Sequence, residues 1–202
     1  MSRLETSCID NNIGRFLLVV LLCLASGCAF NAQTVKLSPA MALSPADYGA
    51  GKEVVLSVVD ERPKQAIGNR GSAYGAGAEI TSIDDVSEVI REKVEEGLSA
   101  NGFQVVTGST PARTSMKVEI RSIDYSTSVG LFTGGVHTRA AFKGICKNER
   151  GEYENLYRQE NEERVVVVPT AETNEQWINQ AVGQALEKIF RDQKMFECLS
   201  HR

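Results

Sequence analysis

The chain has 202 residues, a formal net charge of −4 and only two histidines. A mildly acidic chain without a block of Lys and Arg is not built to neutralise phosphates, which argues against nucleic acid as a partner. It equally argues against electrostatic adhesion to anionic lipid.

Residues 16–24 form an unbroken apolar run, FLLVVLLCL, too short to cross a bilayer core as a helix. Arg3 and Arg15 precede it and Ala25, Ser26 and Gly27 follow, the basic, apolar, small order of a secretory leader. Cys28 comes directly after, and Leu-Ala-Ser-Gly-Cys resembles the lipobox of bacterial lipoproteins. That resemblance implies cleavage after residue 27, so that 1–27 is a signal peptide, and acylation of Cys28, which attaches the chain to the lipid bilayer. Two or more acyl chains make such an anchor stable. Ala29, where a sorting signal would place Asp, implies the outer membrane, periplasmic face, with the inner membrane as the alternative. Cys8 and Cys23 leave with the leader, so Cys146 and Cys198 are the remaining thiols, in a compartment that allows disulfides. They are either a bridged pair, closing a loop of about fifty residues and contributing roughly 4 kcal/mol, or two free thiols.

Residues 28–52 carry Pro39 and Pro45 among small residues without a sustained period and read as the lipidated N-terminus and a tether, with a short edge strand around Val35. Residues 53–60, EVVLSVVD, are dense in β-branched side chains and predict a buried strand. The long glycine-rich loop that follows lacks both G-x-G-x-x-G and G-x-x-x-x-G-K-[ST] spacing, which sets nucleotide binding aside. Loops of this length are commonly either functional or mobile, and Arg62, Arg70 and Tyr74 are its side chains best suited to contact a partner.

Val86, Val89, Ile90, Val94 and Leu98 share one helical face over residues 84–101, opposite a charged face. Ser82 with Asp85 resembles a capping box, and Asn101-Gly102 is the stop, with Phe103 supplying the hydrophobic contact. Residues 103–107 predict a second strand. Met116, Val118 and Ile120 alternate with charged residues, then the apolar parity slips to Ile123 and Tyr125, which predicts a bulge near Ser122. Val136, Thr138, Ala140, Phe142, Gly144 and Cys146 give one face of the next strand, and residues 153–168 return as the last one. The link between those before it carries Leu131 and Phe132, an apolar pair at a hairpin end that either folds back on the sheet or meets a partner. Thr173 and Gln176 predict a capping box for a closing helix with Ile178, Ala181, Val182, Ala185, Leu186 and Ile189 on its apolar face. The whole predicts one α+β domain over 53–202: a mainly antiparallel sheet of about four to five strands with two helices on one face, a two-layer sandwich.

VKLSPAMALSP, VVLSVVDERP with Ile67-Gly68, the helix ending in Asn101-Gly102, the pair Tyr157-Arg158 and the closing helix together resemble the YajG-like lipoproteins. The resemblance spans residues 28–196 and implies an outer-membrane lipoprotein of unassigned activity, with no cofactor and no catalytic residues to carry over.

The residues themselves offer little chemistry. His137 lies mid-strand without a serine in a nucleophile-elbow setting, and His201 lies at the chain end. Two histidines and two thiols lack metal-ligand spacing. Asp60 and Glu61 are adjacent in a strand and point to opposite faces, so Asp60 reads most simply as an ion-pair partner of Arg62. The expectation is a non-enzymatic, membrane-anchored binding or assembly factor that meets an envelope protein through Arg62, Arg70, Tyr74, Leu131 and Phe132. The alternative is a periplasmic enzyme acting on cell-wall material, with the lipid as an address and His137 or Asp60 as its catalytic group. A structural spacer is the third reading.

Overall fold

The computed structural model describes residues 32–71, 78–106, 114–129 and 134–200. Residues 1–27, expected as a signal peptide, and Cys28, Tyr74, Leu131 and Phe132 lie outside the described residues. The α+β class holds, but the sheet is larger than predicted and mixed. Eight strands join in one sheet: β1 (Gln33–Val35), β2 (Glu53–Asp60), β3 (Gly68–Asn69), β4 (Glu79–Ser82), β5 (Gln104–Val106), β6 (Ser115–Val129), β7 (Gly134–Asn148) and β8 (Gly151–Val165). Their path is β1-β4-β3-β6-β2-β5, and β7 and β8 continue from β6. Only β3/β4, β6/β7 and β7/β8 are antiparallel, whereas β1/β4, β2/β5, β2/β6 and β3/β6 are parallel. β1 is the short edge strand expected around Val35, and the two strands without a counterpart in the sequence pattern, β3 and β4, are two and four residues long, too short to show an alternation.

β6 is the centre. On one edge it takes β2 along Ser115 to Ile120 and then Gly68 of β3 at Tyr125; on the other it pairs with β7 throughout. The expected bulge is present: Ile120 faces Phe142 and Ser122 faces Ala141, so Arg121 has no partner opposite. Met116, Val118 and Ile120 before it, and Ile123 and Tyr125 after it, are therefore all buried. β2 is less buried than its apolar run predicts, since Val59 is among the exposed apolar residues. β8 ends at Val165, three residues earlier than expected.

Among the described residues, three helices cover the sheet where two were predicted: α1 (Val86–Ala100), α2 (Ala171–Ile189) and α3 (Gln193–Leu199). α1 packs on β2 and β5, and α2 and α3 pack on β7 and β8. Asp85, rather than Ser82, caps α1, accepting from the Ser87 and Glu88 amides. Val86, Ile90, Val94 and Leu98 face the core, each contributing about 1.5–3 kcal/mol of burial. Its stop is a Schellman arrangement: Gly102 N donates to Ser99 O, Phe103 N to Leu98 O, and Gly102 takes φ +80°. The cap of α2 is Thr170, whose hydroxyl accepts from Thr173 N, so this helix opens before the Thr173–Gln176 pair. Short α3 shows no period in sequence; Asp192 caps it, and Met195, Phe196 and Leu199 are buried.

The expected tether is corrected most. From Gln33 onward residues 33–52 are packed into the same unit as the rest, with Val35 and Leu37 buried. Beyond β1 the extended chain lies along α2. Lys36 N donates to Glu175 Oε2 (2.7 Å), Ser38 N to Asn179 Oδ1 (2.8 Å) and Ala42 N to Glu187 Oε1 (2.7 Å), while Asn179 Nδ2 returns a bond to Lys36 O. Glu175, Asn179, Gly183 and Glu187 stand four apart on one helical stripe. Four helical residues rise about 6.0 Å and two extended residues about 6.6 Å, so helix side chains and strap amides stay in step. Gly183 is opposite Ala40, whose carbonyl occupies the space a β-carbon would need. Further on, Ala46 N, Gly49 N and Gly51 N donate to carbonyls at the C-terminal end of α1. Such a strap has no apolar period, because its partners are side chains of a distant helix.

Cys146 of β7 and Cys198 of α3 form a disulfide with a Cα–Cα separation of 6.2 Å. Two outcomes are expected. Replacing Cys198 with Ser lowers stability by about 4 kcal/mol in urea denaturation; no loss would show that the bridge carries none. Gly183→Ala lifts the strap, costs about 1–3 kcal/mol, and speeds hydrogen exchange at the Ser38 and Ala42 amides while leaving α1 protected.

Candidate functional site

Two polar clefts combine titratable groups. The first lies where β2 ends beside the start of α1, a volume of about 410 Å³ lined by Asp60, Arg62, Gln65, Ser82, Asp84 and Asp85, among others. Arg62 folds back on the strand it follows: Nε donates to Asp60 Oδ1 (2.8 Å) and Nη2 to Asp60 Oδ2 (2.7 Å), a two-pronged pair with the Arg62 side chain 3% exposed. Partial burial works against the charge of Asp60, but the Arg62 bonds outweigh it and hold the carboxyl below its ordinary pKa. Asp84 accepts from Leu37 N, tying the strap to this corner, and Asp85 is used as the helix cap.

The second cleft, about 660 Å³, opens between β8 and the α2–α3 junction and is lined by Tyr153, Asn155, Tyr157, Lys188, Arg191 and Asp192, among others. Strand alternation puts Tyr153, Asn155 and Tyr157 on one face of β8. All three converge on Asp192 Oδ2, at 2.8 Å from Tyr153 Oη, 3.0 Å from Asn155 Nδ2 and 2.7 Å from Tyr157 Oη. Asp192 Oδ1 accepts from Lys194 N and Met195 N. Burial opposes the charge here too, yet the donors from Asn155, Tyr157, Tyr153 and the Met195 amide bring Asp192 below its ordinary pKa. Burial, followed by the bond to the Asp192 carboxylate, raises Tyr157 well above the ordinary phenol value. Five donors leave this carboxylate no capacity for a substrate. The Tyr-x-Asn-x-Tyr alternation is the signal of this cluster in sequence, although nothing there shows the acid it serves.

A third buried group follows the same pattern. Tyr125 Oη donates to Asn174 Oδ1 (2.7 Å), and Asn174 Nδ2 donates to Gln33 Oε1. Burial pushes the Tyr125 hydroxyl up to about 12. Among the described residues, no buried side-chain nitrogen or oxygen lacks a partner, and no group of His, Cys, Asp and Glu is placed to hold a metal ion.

The structure does not assemble the residues singled out from sequence into one place. Arg62 is turned inward onto Asp60, and Arg70 Nη2 donates to Pro169 O (3.1 Å), joining the β3 loop to the approach of α2. His137 lies opposite Ser126 and Glu162. Asp60 lies opposite Ile120, about 20 Å further along β6 at ~3.4 Å per residue, so those two do not form one constellation. The outer sheet face nearby is occupied by ion pairs, including Lys117–Glu119, Arg139–Glu160 and Lys143–Glu154.

Residues 39–200 match the family model Lipoprotein_16, described as uncharacterized lipoprotein. Protein XCC0632 from Xanthomonas campestris superposes with a TM-score of 0.56 at 9% identity, over 84% of this chain and 97% of that one. A minor lipoprotein from Acinetobacter baumannii aligns with a TM-score of 0.40 at 12% identity, over 78% and 96%. A putative neuraminyllactose-binding hemagglutinin homolog from Helicobacter pylori gives 0.43 at 11% identity, over 82% and 99%. No curated protein sequence matches.

The charge states set a pH dependence. Asp60 and Asp192 are more acidic folded than unfolded, so they stabilise the fold above about pH 4 and this is lost as pH falls through their folded values. Tyr125 and Tyr157 hold their protons more tightly folded than unfolded; their contribution is complete below about pH 10 and is lost as pH rises, for Tyr125 through about 12. Urea denaturation across pH should therefore show both limbs. Asp192→Ala should cost about 2–4 kcal/mol, from the lost cap and two stranded hydroxyls, and flatten the acid limb. An acid limb unchanged in this variant would show that Asp192 is no clasp.

Proposed function

The chain belongs to the Lipoprotein_16 family of uncharacterized lipoproteins, the YajG-like family, and on that premise we propose that it is acylated at Cys28 and serves as a non-enzymatic binding or assembly factor at the periplasmic face of the outer membrane. The observation that carries the reading is how the polar groups are used. Asp60 is engaged by Arg62 in the turn that follows β2, and Asp192 with Tyr153, Asn155 and Tyr157 holds α3 to β8. A general acid or base needs a free lone pair or proton facing a substrate, and these groups face each other. Ala29 after the acylated cysteine supports delivery to the outer membrane. With Arg62 and Arg70 engaged internally, contact with an envelope protein is assigned to Tyr74, Leu131 and Phe132.

Palmitate labelling and density-gradient separation of membranes test the anchor. The native chain should carry label and band with the outer membrane, and Cys28→Ala should lose both; label at the inner-membrane density would overturn the location. Crosslinking in intact cells tests the partner. One envelope protein should be captured by the native chain and lost from a Leu131→Asp/Phe132→Asp variant whose urea midpoint is unchanged, and retention of that protein would overturn the assigned surface.

A further inference from the structure

Three adjacent valines face solvent at the end of the domain where α2 begins. Val166, Val167 and Val168 are 81%, 76% and 50% exposed, on the link between β8 and the Thr170 cap. The other exposed large apolar residues described, Tyr48, Val59, Ile83 and Leu156, are scattered along the sequence. A contiguous apolar group on a surface marks contact with something.

The strap fixes where the upstream chain leaves the domain. Its amides meet Glu175, then Asn179, then Glu187, so strap and α2 run in the same direction. Gln33 receives the Asn174 side chain, and Asn174 N donates to Thr170 O, so Gln33 sits at the first turn of α2. Followed backwards, the chain departs at the N-terminal end of that helix, whose Thr170 cap comes two residues after Val168. About five residues separate Gln33 from Cys28, a reach of at most about 18 Å at ~3.6 Å per residue.

We infer that Val166, Val167 and Val168 are the face the domain rests on the lipid bilayer, immersed in its interfacial layer. The inference rests on the acylation of Cys28 proposed above. A chain of net charge −4 gains no general attraction to anionic headgroups, so the contact is apolar. Three valines do not hold a protein on a membrane by themselves. The covalent lipid supplies attachment and a high effective concentration of surface, and the valines set which end faces it. The Glu149-Arg150 turn, at the other end of the 15-residue strands β7 and β8, then points away from the bilayer.

The test uses the acylated full-length chain carrying either Val167→Cys or Arg150→Cys, labelled at the added thiol with an environment-sensitive fluorophore. It is reconstituted in vesicles of phosphatidylethanolamine and phosphatidylglycerol whose acyl chains bear a quencher. Quenching at position 167 should exceed that at 150 several-fold. Equal, weak quenching at both positions, with the acyl mass confirmed on Cys28, overturns the inference and leaves the anchor standing. Shielding of position 167 without quenching assigns the face to a protein, whether a second copy or a partner, and also overturns it. An intact mass without acyl chains on Cys28 removes the anchor and the inference together.

Discussion

Main-chain hydrogen bonding along β6 is the constraint on which the rest of the fold depends. Every other strand connects to it, directly or through one or two intervening strands. Its 15 residues are long enough to take β2 and then β3 on the same edge, and the bulge at Arg121 lets both halves turn apolar side chains to the core. The join at β3 requires glycine: at Gly68 the Tyr125 carbonyl fills the space of a β-carbon. Burial then follows from placement, with α1 laid on the β2 side and α2 and α3 on the β7 and β8 side.

Polar side chains complete what apolar burial begins. Glu175, Asn179 and Glu187 take the place of a neighbouring strand for the strap amides, and Asp192 fastens the last helix to β8 through Tyr153, Asn155 and Tyr157. The strap bonds are exposed and the two tyrosine bonds to Asp192 are partly buried, so the tyrosine pair is the better shielded from competing water. The same arrangement engages the Asp60 and Asp192 carboxylates of the two clefts in bonds within the chain. On the outer sheet face, Lys117 and Arg121 pair with Glu119, Arg139 with Glu160 and Lys143 with Glu154.

Legibility in the sequence followed the range of the interactions. α1 was readable because its apolar stripe, its charged face and the Asn101-Gly102-Phe103 stop are all local. The β6 slip was readable for the same reason, being a change of parity within a few residues. The strap, the parallel pairing of β1 with β4 and of β2 with β6, and the role of Asp192 depend on partners many tens of residues away, and no local pattern encodes them. Arg62 was read two ways, as a contact residue and as the ion-pair partner of Asp60; the geometry is that of the second. For the site as a whole, the residue types were visible but their saturation was not, since that depends on which donors the fold brings to each oxygen.

The direction of the strap also has a mechanical meaning. It runs with α2, and β1 runs with β4, so a pull on the chain upstream of Gln33 along the strand axis loads these bonds in shear. They then resist together, where a perpendicular pull would open them one after another. A domain tugged from its N-terminal side, as any tethered body is by the drift of its surroundings, would hold its first segment in place and pass the force into α2 and the sheet.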